Sequence, residues 1–304
     1  MYHANLVGGL AASLAGKAPV VWGIHHSALD PRVDKRRTMI VNCSCAILSR
    51  KVPARIVCCS QAARDIHQLL GYAAEKLMVI PNGFDLEHVK PDPAARVSVR
   101  AELHLPAGTP LIGMAARFHP HKDHQNFIQA AAHLHRQMPE VHFLLCGLNI
   151  TNRNEELASW IRAAGLGDCC HLLGVRQDMP RLFAAMDIAT TASLSEAFPI
   201  VIGEAMACET PCVVTDVGDS ALIVGDTGEV VAPKDPMGLA AGWRKLLEAG
   251  LEERRRLGMA ARRRVRQHFS LPSVVERYQA VYSQLATGST SPSVPAPNFS
   301  ECTG

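Results

Sequence analysis

Apolar residues fall along this chain in two alternating rhythms. Residues 19–24, 55–59 and 76–80 are short, largely apolar and rich in β-branched side chains, as buried strands are. Residues 4–16 precede the first of these and 38–48 and 61–70 lie between them, all three reading as helices, with Gly16 placed to end the first and Ser60 to cap the third. This alternation predicts βαβ units and a parallel sheet. Pro81-Asn82-Gly83 stops the third strand as a turn. Residues 89–110 are rich in Pro, Asp and Ala and read as a linker with one short helix. A second array follows, with strands expected at 111–116, 142–146, 171–173, 188–192, 212–215 and 229–231. Helices are expected at 125–137, 155–164, 179–185, 238–249, 251–268 and 272–285. Residues 286–304 are rich in Gly, Ser, Thr and Pro without periodicity, which predicts a disordered tail.

The 304 residues leave room for two domains. A net charge of +3 is too small to argue for nucleic acid. No apolar run reaches the ~18–20 residues of a membrane span. The first residues lack the basic and apolar regions of a signal peptide, so a cytoplasmic setting is expected. None of the ten cysteines has the C-x2-C spacing of a zinc site, and buried, reduced thiols are expected. A charged turn is expected at 30–37. Lys35-Arg36-Arg37 and Arg50-Lys51 flank the apolar helix at 38–48, and seven arginines fall between Arg254 and Arg266. Such clusters are solvated helix faces, or they attract anionic lipid head groups.

The candidate chemistry gathers in the second array. Residues 187–208 read as strand, loop and helix, with Pro199 suited to the helix's first turn. A helix start offers free N–H groups and the positive end of a dipole, a ready site for phosphate near Phe198, Pro199 and Ile200. Glu196 precedes that start and Glu204 lies one to two turns into the helix. Arg117 and Lys122 bracket a turn after the strand at 111–116, at the sheet edge where α/β proteins bind ligands. An Arg fork and a mobile Lys charge both suit phosphate oxygens. Gly147 and the Gly174-Val-Arg176 segment end two further strands. Each of these has a plainer reading, as solvated charges or simple turns. In the first array, His25 ends a strand and titrates near neutrality, with His26 and His3 as alternates and a structural histidine as the rival reading. No Asp-x-Asp metal motif occurs.

Glu196 and Glu204, with Phe198-Pro199-Ile200 after the first, resemble the E-x7-E motif of glycosyltransferase family 4. Residues 205–219 are similar to that motif's usual continuation, and Ala116-Arg117 through Lys122-Asp123 to the family's Arg…Lys segment, with Ala116 where Gly is common. The resemblance covers nearly all of Tyr2 to about Tyr282. It implies a GT-B fold: two Rossmann-like parallel-sheet domains facing each other across a cleft. The family's opening strand and Gly-Gly loop have no counterpart, so the N-terminal domain is expected to be incomplete. The implied boundaries are an acceptor-side domain at 1–84, a nucleotide-sugar domain at 85–271, a helix crossing back at 272–286 and a tail at 287–304.

The same resemblance implies a retaining glycosyltransferase that uses a nucleotide diphospho-sugar, UDP- or GDP-linked, and needs no cofactor and no metal. Arg117, Lys122 and the helix start at Phe198–Ile200 would hold the donor diphosphate. Glu204 would bind the ribose, and Gly147 and Arg176 would approach the base. Glu196 and His25 would act at the transferred sugar. The implied acceptor is a glycan or lipid-linked sugar in cell-surface polysaccharide assembly, with peripheral membrane contact as one setting and no role for nucleic acid. The mechanism is either double displacement through a carboxylate or a front-face substitution, which the resemblance favours. The rival readings are a catalytically impaired nucleotide-binding fragment and a GT-B-fold nucleotide-sugar epimerase.

Overall fold

The computed structural model describes residues 2–16, 18–27 and 35–287. The tail from 288 onward, Cys302 and most of the charged turn at 30–37 lie outside the described residues. The chain divides into two compact units. One comprises the residues to Gly83, Glu196–Phe198 and those from His268 onward; the other comprises Phe84–Ser195 and Pro199–Gln267.

The first unit is a three-stranded parallel sheet in the order β1 (Val20–Ile24), β2 (Pro53–Cys58), β3 (Leu77–Val79). Helices α1 (Tyr2–Ala15), α2 (Arg36–Leu48) and α3 (Gln61–Leu69) surround it. Tyr2, Cys45, Ala46 and Ala63 from these helices form a core with Trp22, Ile24, Ile56 and Cys58 from the strands. The Ser60 hydroxyl caps α3 by accepting from the Ala63 amide at 3.0 Å, which satisfies one free donor of the first turn. The last described helix, α12 (Leu271–Thr287), lays Val274 and Val281 against Val57 and Ile80 in a second core.

The second unit is a six-stranded parallel sheet built from β4 (Leu111–Ala115), β5 (His142–Cys146), β6 (Cys170–Leu172), β7 (Ile188–Thr191), β8 (Cys212–Thr215) and β9 (Glu229–Val231). The order is β6-β5-β4-β7-β8-β9, so the winding reverses between β4 and β7. The carboxyl ends of these two neighbours are the ligand position of doubly wound sheets. Its helices are α4 (Pro93–Glu102), α5 (His124–His135), α6 (Glu155–Ala163), α7 (Met179–Ala185), α8 (Ile200–Ala207), α9 (Ser220–Val224), α10 (Pro236–Glu248) and α11 (Gly250–Phe269). Phe127 of α5, Phe143 of β5 and Trp243 of α10 interlock at centroid distances of 5.2–6.0 Å in the core.

Two expectations need correction here. Residues 89–110 contain the one short helix expected, α4, but it is bound into the second unit rather than lying in a linker. Arg96 and Arg100 each pair with Asp187, at 2.7 and 2.6 Å, and the Leu111 amide donates to the same carboxylate. The arginines of α11 are also not a uniformly solvated face. Arg262 donates to the Val89, Ala207 and Leu86 carbonyls, Arg264 to those of Ile223 and Leu222, and Arg254 to those of Leu246 and Leu247. Arg255 and Arg256 pair with Glu252 and Glu253 on the same helix. The nine described cysteines are free, and burial pushes the Cys58, Cys146 and Cys208 thiols up to about 12.

Candidate functional site

The candidate residues of the second unit lie on and just after the two loops at the winding reversal. After β4 the chain runs through exposed Arg117 into a 3-10 turn, Pro120–Lys122. Asp123 follows in the left-handed region, φ 45°, which Asp tolerates better than most side chains. Its carboxylate caps α5 by accepting from the Asn126 amide at 3.2 Å. After β7, the buried Ser193 carbonyl accepts from the Thr215 hydroxyl at 2.8 Å. The next residue, Leu194, donates its amide to the His121 carbonyl at 2.8 Å. The loop bearing Arg117 and Lys122 is thereby tied to the loop that leads to α8.

Pro199 is the N-cap of α8, and Ile200 is its first helical residue. Pro lacks the N–H, so the free donors of this helix start belong to the residues that follow. Gly203 lets α8 seat closely, because a Cβ there would meet the Phe84 ring at 2.0 Å. Glu204 lies one turn into α8 and is half-buried, and burial raises its pKa. Among the described residues its carboxylate has no hydrogen-bond or ion-pair partner, and neither does the Arg117 guanidinium. A carboxylate and a guanidinium without internal partners are groups that a ligand can engage.

Behind the Arg117 loop, β4 continues alongside the residues after β5. The Ala116 amide donates to the Cys146 carbonyl at 2.9 Å, and the Phe118 amide to the Leu148 carbonyl at 2.8 Å. Gly147 lies under this crossing with φ 142°, and a Cβ there would stand 2.2 Å from the Ala116 oxygen. Its absent side chain is what allows the close approach. His124, at the first position of α5, is buried, hydrogen-bonded to the Ala116 carbonyl and set against Phe118 at 5.3 Å. Burial pushes its pKa down to about 4, so it clamps the loop as a neutral imidazole. The sequence reading missed His124. Its signal was slight, one polar residue among several at the start of a helix.

Arg176 is placed differently from the expectation that it reaches a base. Its Nε and Nη2 grip the Asp178 carboxylate, each at 2.7 Å, and Nη2 also reaches Glu102 at 3.2 Å. Arg181 shares both acids, and the Arg176 guanidinium holds Asp178 down to about 2. This network joins α4 to the start of α7 and engages the arginine's Nε and Nη2. Gly174 donates to the Ile150 carbonyl and accepts from the Gly147 amide, so the two glycine loops brace each other.

The first unit holds the remaining candidates. His25 directly follows β1 and is exposed, with its ring over Gly23; the surrounding protein lowers its pKa through desolvation. Glu196–Phe198 also belong to this unit. The buried Ser27 hydroxyl donates to the Glu196 carbonyl, and Phe198 is buried against Phe269 with centroids 5.6 Å apart. The Phe198 side chain is thus a packing group. The structure places His25 and Glu196 in one unit, and Arg117, Lys122, Pro199, Ile200 and Glu204 in the other.

Residues 96–264, more than half of the chain, match the family model described as glycosyl transferases group 1. The chain belongs to this family. Residues 1–88 match a second model, glycosyltransferase family 4. The chain is 31% identical over 242 residues to the MMP alpha-(1->4)-mannosyltransferase of Mycolicibacterium hassiacum, covering 78% of this chain and 55% of that protein. It is 27% identical over 227 residues to the UDP-Gal:alpha-D-GlcNAc-diphosphoundecaprenol alpha-1,3-galactosyltransferase of Escherichia coli, covering 72% of this chain and 57% of that protein. The crystal structure of Anabaena HepE in complex with UDP and glucose superposes with a TM-score of 0.84 at 26% identity, covering 94% of this chain and 76% of that one. The two parallel sheets are therefore those of a GT-B glycosyltransferase, as the resemblance implied. The chain spans about half the length of the curated relatives it matches.

Proposed function

We propose that this chain transfers a sugar from a nucleoside diphosphate sugar to a hydroxyl of a glycan or lipid-linked acceptor, with retention at the anomeric carbon. The observation that carries this reading is the tie between Leu194 and His121. It joins the loop bearing Arg117 and Lys122 to the loop that leads into α8, the helix that carries Glu204. Breaking the sugar–phosphate bond places negative charge on the departing diphosphate, and preplaced cations and N–H groups stabilise that charge as it develops. Arg117 and Lys122 would supply that charge, in the role a divalent cation fills in other designs. Glu204 would accept hydrogen bonds from the ribose hydroxyls, which would favour its charged form. Glu196 would face the transferred sugar, and His25 would orient it or relay a proton.

UDP is the favoured nucleotide, because HepE was crystallised with UDP and UDP-glucose. An acceptor on a lipid carrier, such as the diphosphoundecaprenol named for the Escherichia coli relative, would bring the chain to the cytoplasmic face of a membrane as a peripheral protein. The test is a melting-temperature screen with UDP, GDP and ADP, on the wild type and Glu204→Ala. A ligand at ~100 times its dissociation constant stabilises by about 2.7 kcal/mol, which is roughly 5–10 °C for a domain of this size. The reading expects a shift with UDP that Glu204→Ala abolishes, followed by turnover of a UDP-sugar. Cooperative melting with no shift from any nucleotide would refute the donor site. A shift without turnover would favour the rival reading, a nucleotide-binding fragment.

A further inference from the structure

The positive charge of this protein is unevenly spread. Residues 1–58 contain eight Lys and Arg against two Asp, a net +6. The whole chain carries +3, so the remaining residues carry −3. Such an asymmetry is a sign of an anionic partner. The structure describes six of these eight cations, all but Lys17 and Arg32. Arg36, Ile40, Cys43 and Ile47 follow one another along a single side of α2 at alternating steps of four and three, and Arg50 continues the line beyond the helix end. All five are exposed, Ile40 by 65% and Ile47 by 75%. The opposite side of the helix buries Asn42, Cys45 and Ala46. Lys35, Arg37 and Lys51 are exposed at the two ends of the line.

The result is an apolar strip with cations at both ends. Among the described residues, none of these five Lys and Arg side chains is engaged in an ion pair or hydrogen bond. The arginines of α11 behave differently, since most of them grip backbone carbonyls or neighbouring glutamates. The two basic regions of the sequence therefore part company: α11 uses its charge internally, and α2 presents it outward.

We infer that the outward side of α2, Ile40, Cys43 and Ile47 between Lys35–Arg37 and Arg50–Lys51, is a docking surface for an anionic lipid bilayer. Charge complementarity selects this occupant. A second copy would bring a like-charged strip against this one. A nucleic acid would pair with the cations but leave the isoleucines unused. A bilayer interface takes both, since anionic head groups meet the Lys and Arg ends while the isoleucines enter the acyl boundary. The inference extends the lipid-linked acceptor reading. Its test needs neither donor nor acceptor, so a failed transfer assay and a failed membrane assay are separate results.

The experiment is vesicle co-sedimentation of the full chain, with phosphatidylcholine alone and with phosphatidylcholine–phosphatidylglycerol mixtures, at low salt and at ~0.5 M NaCl. The expected result is pelleting with the anionic vesicles at low salt, reduced about 10-fold by high salt or by neutral lipid. Ile40→Ser with Ile47→Ser, and separately Arg36→Glu with Arg37→Glu, should each weaken it at an unchanged melting temperature. Arg255→Glu with Arg256→Glu should not. The inference is overturned if the folded chain ignores anionic vesicles, or if both α2 variants pellet like the wild type. A dimer in sedimentation velocity that the isoleucine variant dissociates would also overturn it, because the strip would then be an interface between copies.

Discussion

The amide of Leu194 and the carbonyl of His121 meet at 2.8 Å across the point where the second sheet reverses its winding. One belongs to the loop after β7 and the other to the loop after β4, 73 positions apart in the chain. The bond couples the loop that bears Arg117 and Lys122 to the loop that leads to α8, so perturbing either loop should be felt at the other.

The first consequence concerns Arg117. It is exposed and has no internal partner among the described residues, so removing it should leave stability within about 0.5 kcal/mol of wild type. Its loss should be felt by the diphosphate. A charge-assisted hydrogen bond contributes about 1.5–3 kcal/mol, so Arg117→Ala should weaken UDP binding roughly 10- to 100-fold. Uridine, which lacks the phosphates, should bind both proteins alike. Calorimetric titration with the two ligands checks this, and an equal loss for both would remove Arg117 from the diphosphate site.

Gly147→Ala should act on the same loop from below. The new Cβ would fall 2.2 Å from the Ala116 oxygen, and φ 142° is a region that L side chains rarely adopt. The backbone strain alone amounts to about 1–3 kcal/mol. The obstructing atom is backbone, so the Ala116–Arg117 segment must move to relieve the clash. Urea midpoints should fall, and UDP affinity should fall beyond what the lost stability explains. A variant with the wild-type midpoint and affinity would show that the close approach is dispensable.

Much of this arrangement could be read from residue order. Continuous apolar runs such as Val213-Val214 and Phe143-Leu144-Leu145 declared the buried parallel strands, since both faces of such a sheet are covered. Arg117, Lys122 and Glu196 stood out as charges in the loops after such runs, and Glu204 as a charge within an apolar helix. Long-range partnership was not legible. Arg176 looked available until Asp178 and Glu102 were seen to hold it. Residues 89–110 looked like a linker because the partner of Arg96 and Arg100 lies some 90 positions later, at Asp187. Helix α9, at five residues, is too short to show a period. Glu196 and Glu204 are eight positions apart yet belong to different units, which spacing on one chain does not convey.

Asp187 is the test of how firmly α4 belongs to the sheet. Its carboxylate is buried and pairs with Arg96 and nearly fully buried Arg100, while accepting from the Leu111 amide at the start of β4. Asp187→Ala leaves the Arg100 charge uncompensated inside the protein. Breaking a buried pair from one side costs about 3–5 kcal/mol. Chemical denaturation should show a loss of that order, and a loss below about 1 kcal/mol would mean that water replaces the carboxylate.

His124 gives the pH dependence a defined direction. Its folded pKa is about 4 against an ordinary 6.5, because burial disfavours the imidazolium. The unfolded chain therefore takes up a proton on this residue between pH 6.5 and 4 that the folded chain refuses. Stability from this group is complete above pH 6.5, declines as the pH falls, and levels off near pH 4. The difference corresponds to about 3 kcal/mol. His67, His142 and His171 are also lowered by burial, so they add to the slope with the same sign. The share of His124 is isolated by comparing wild type with His124→Gln, which cannot titrate but can still donate to the Ala116 carbonyl. Urea unfolding from pH 7 to 4 should give a steeper decline for the wild type. Parallel curves would mean that His124 is protonated in the folded state, and that the clamp on the Arg117 loop carries a charge.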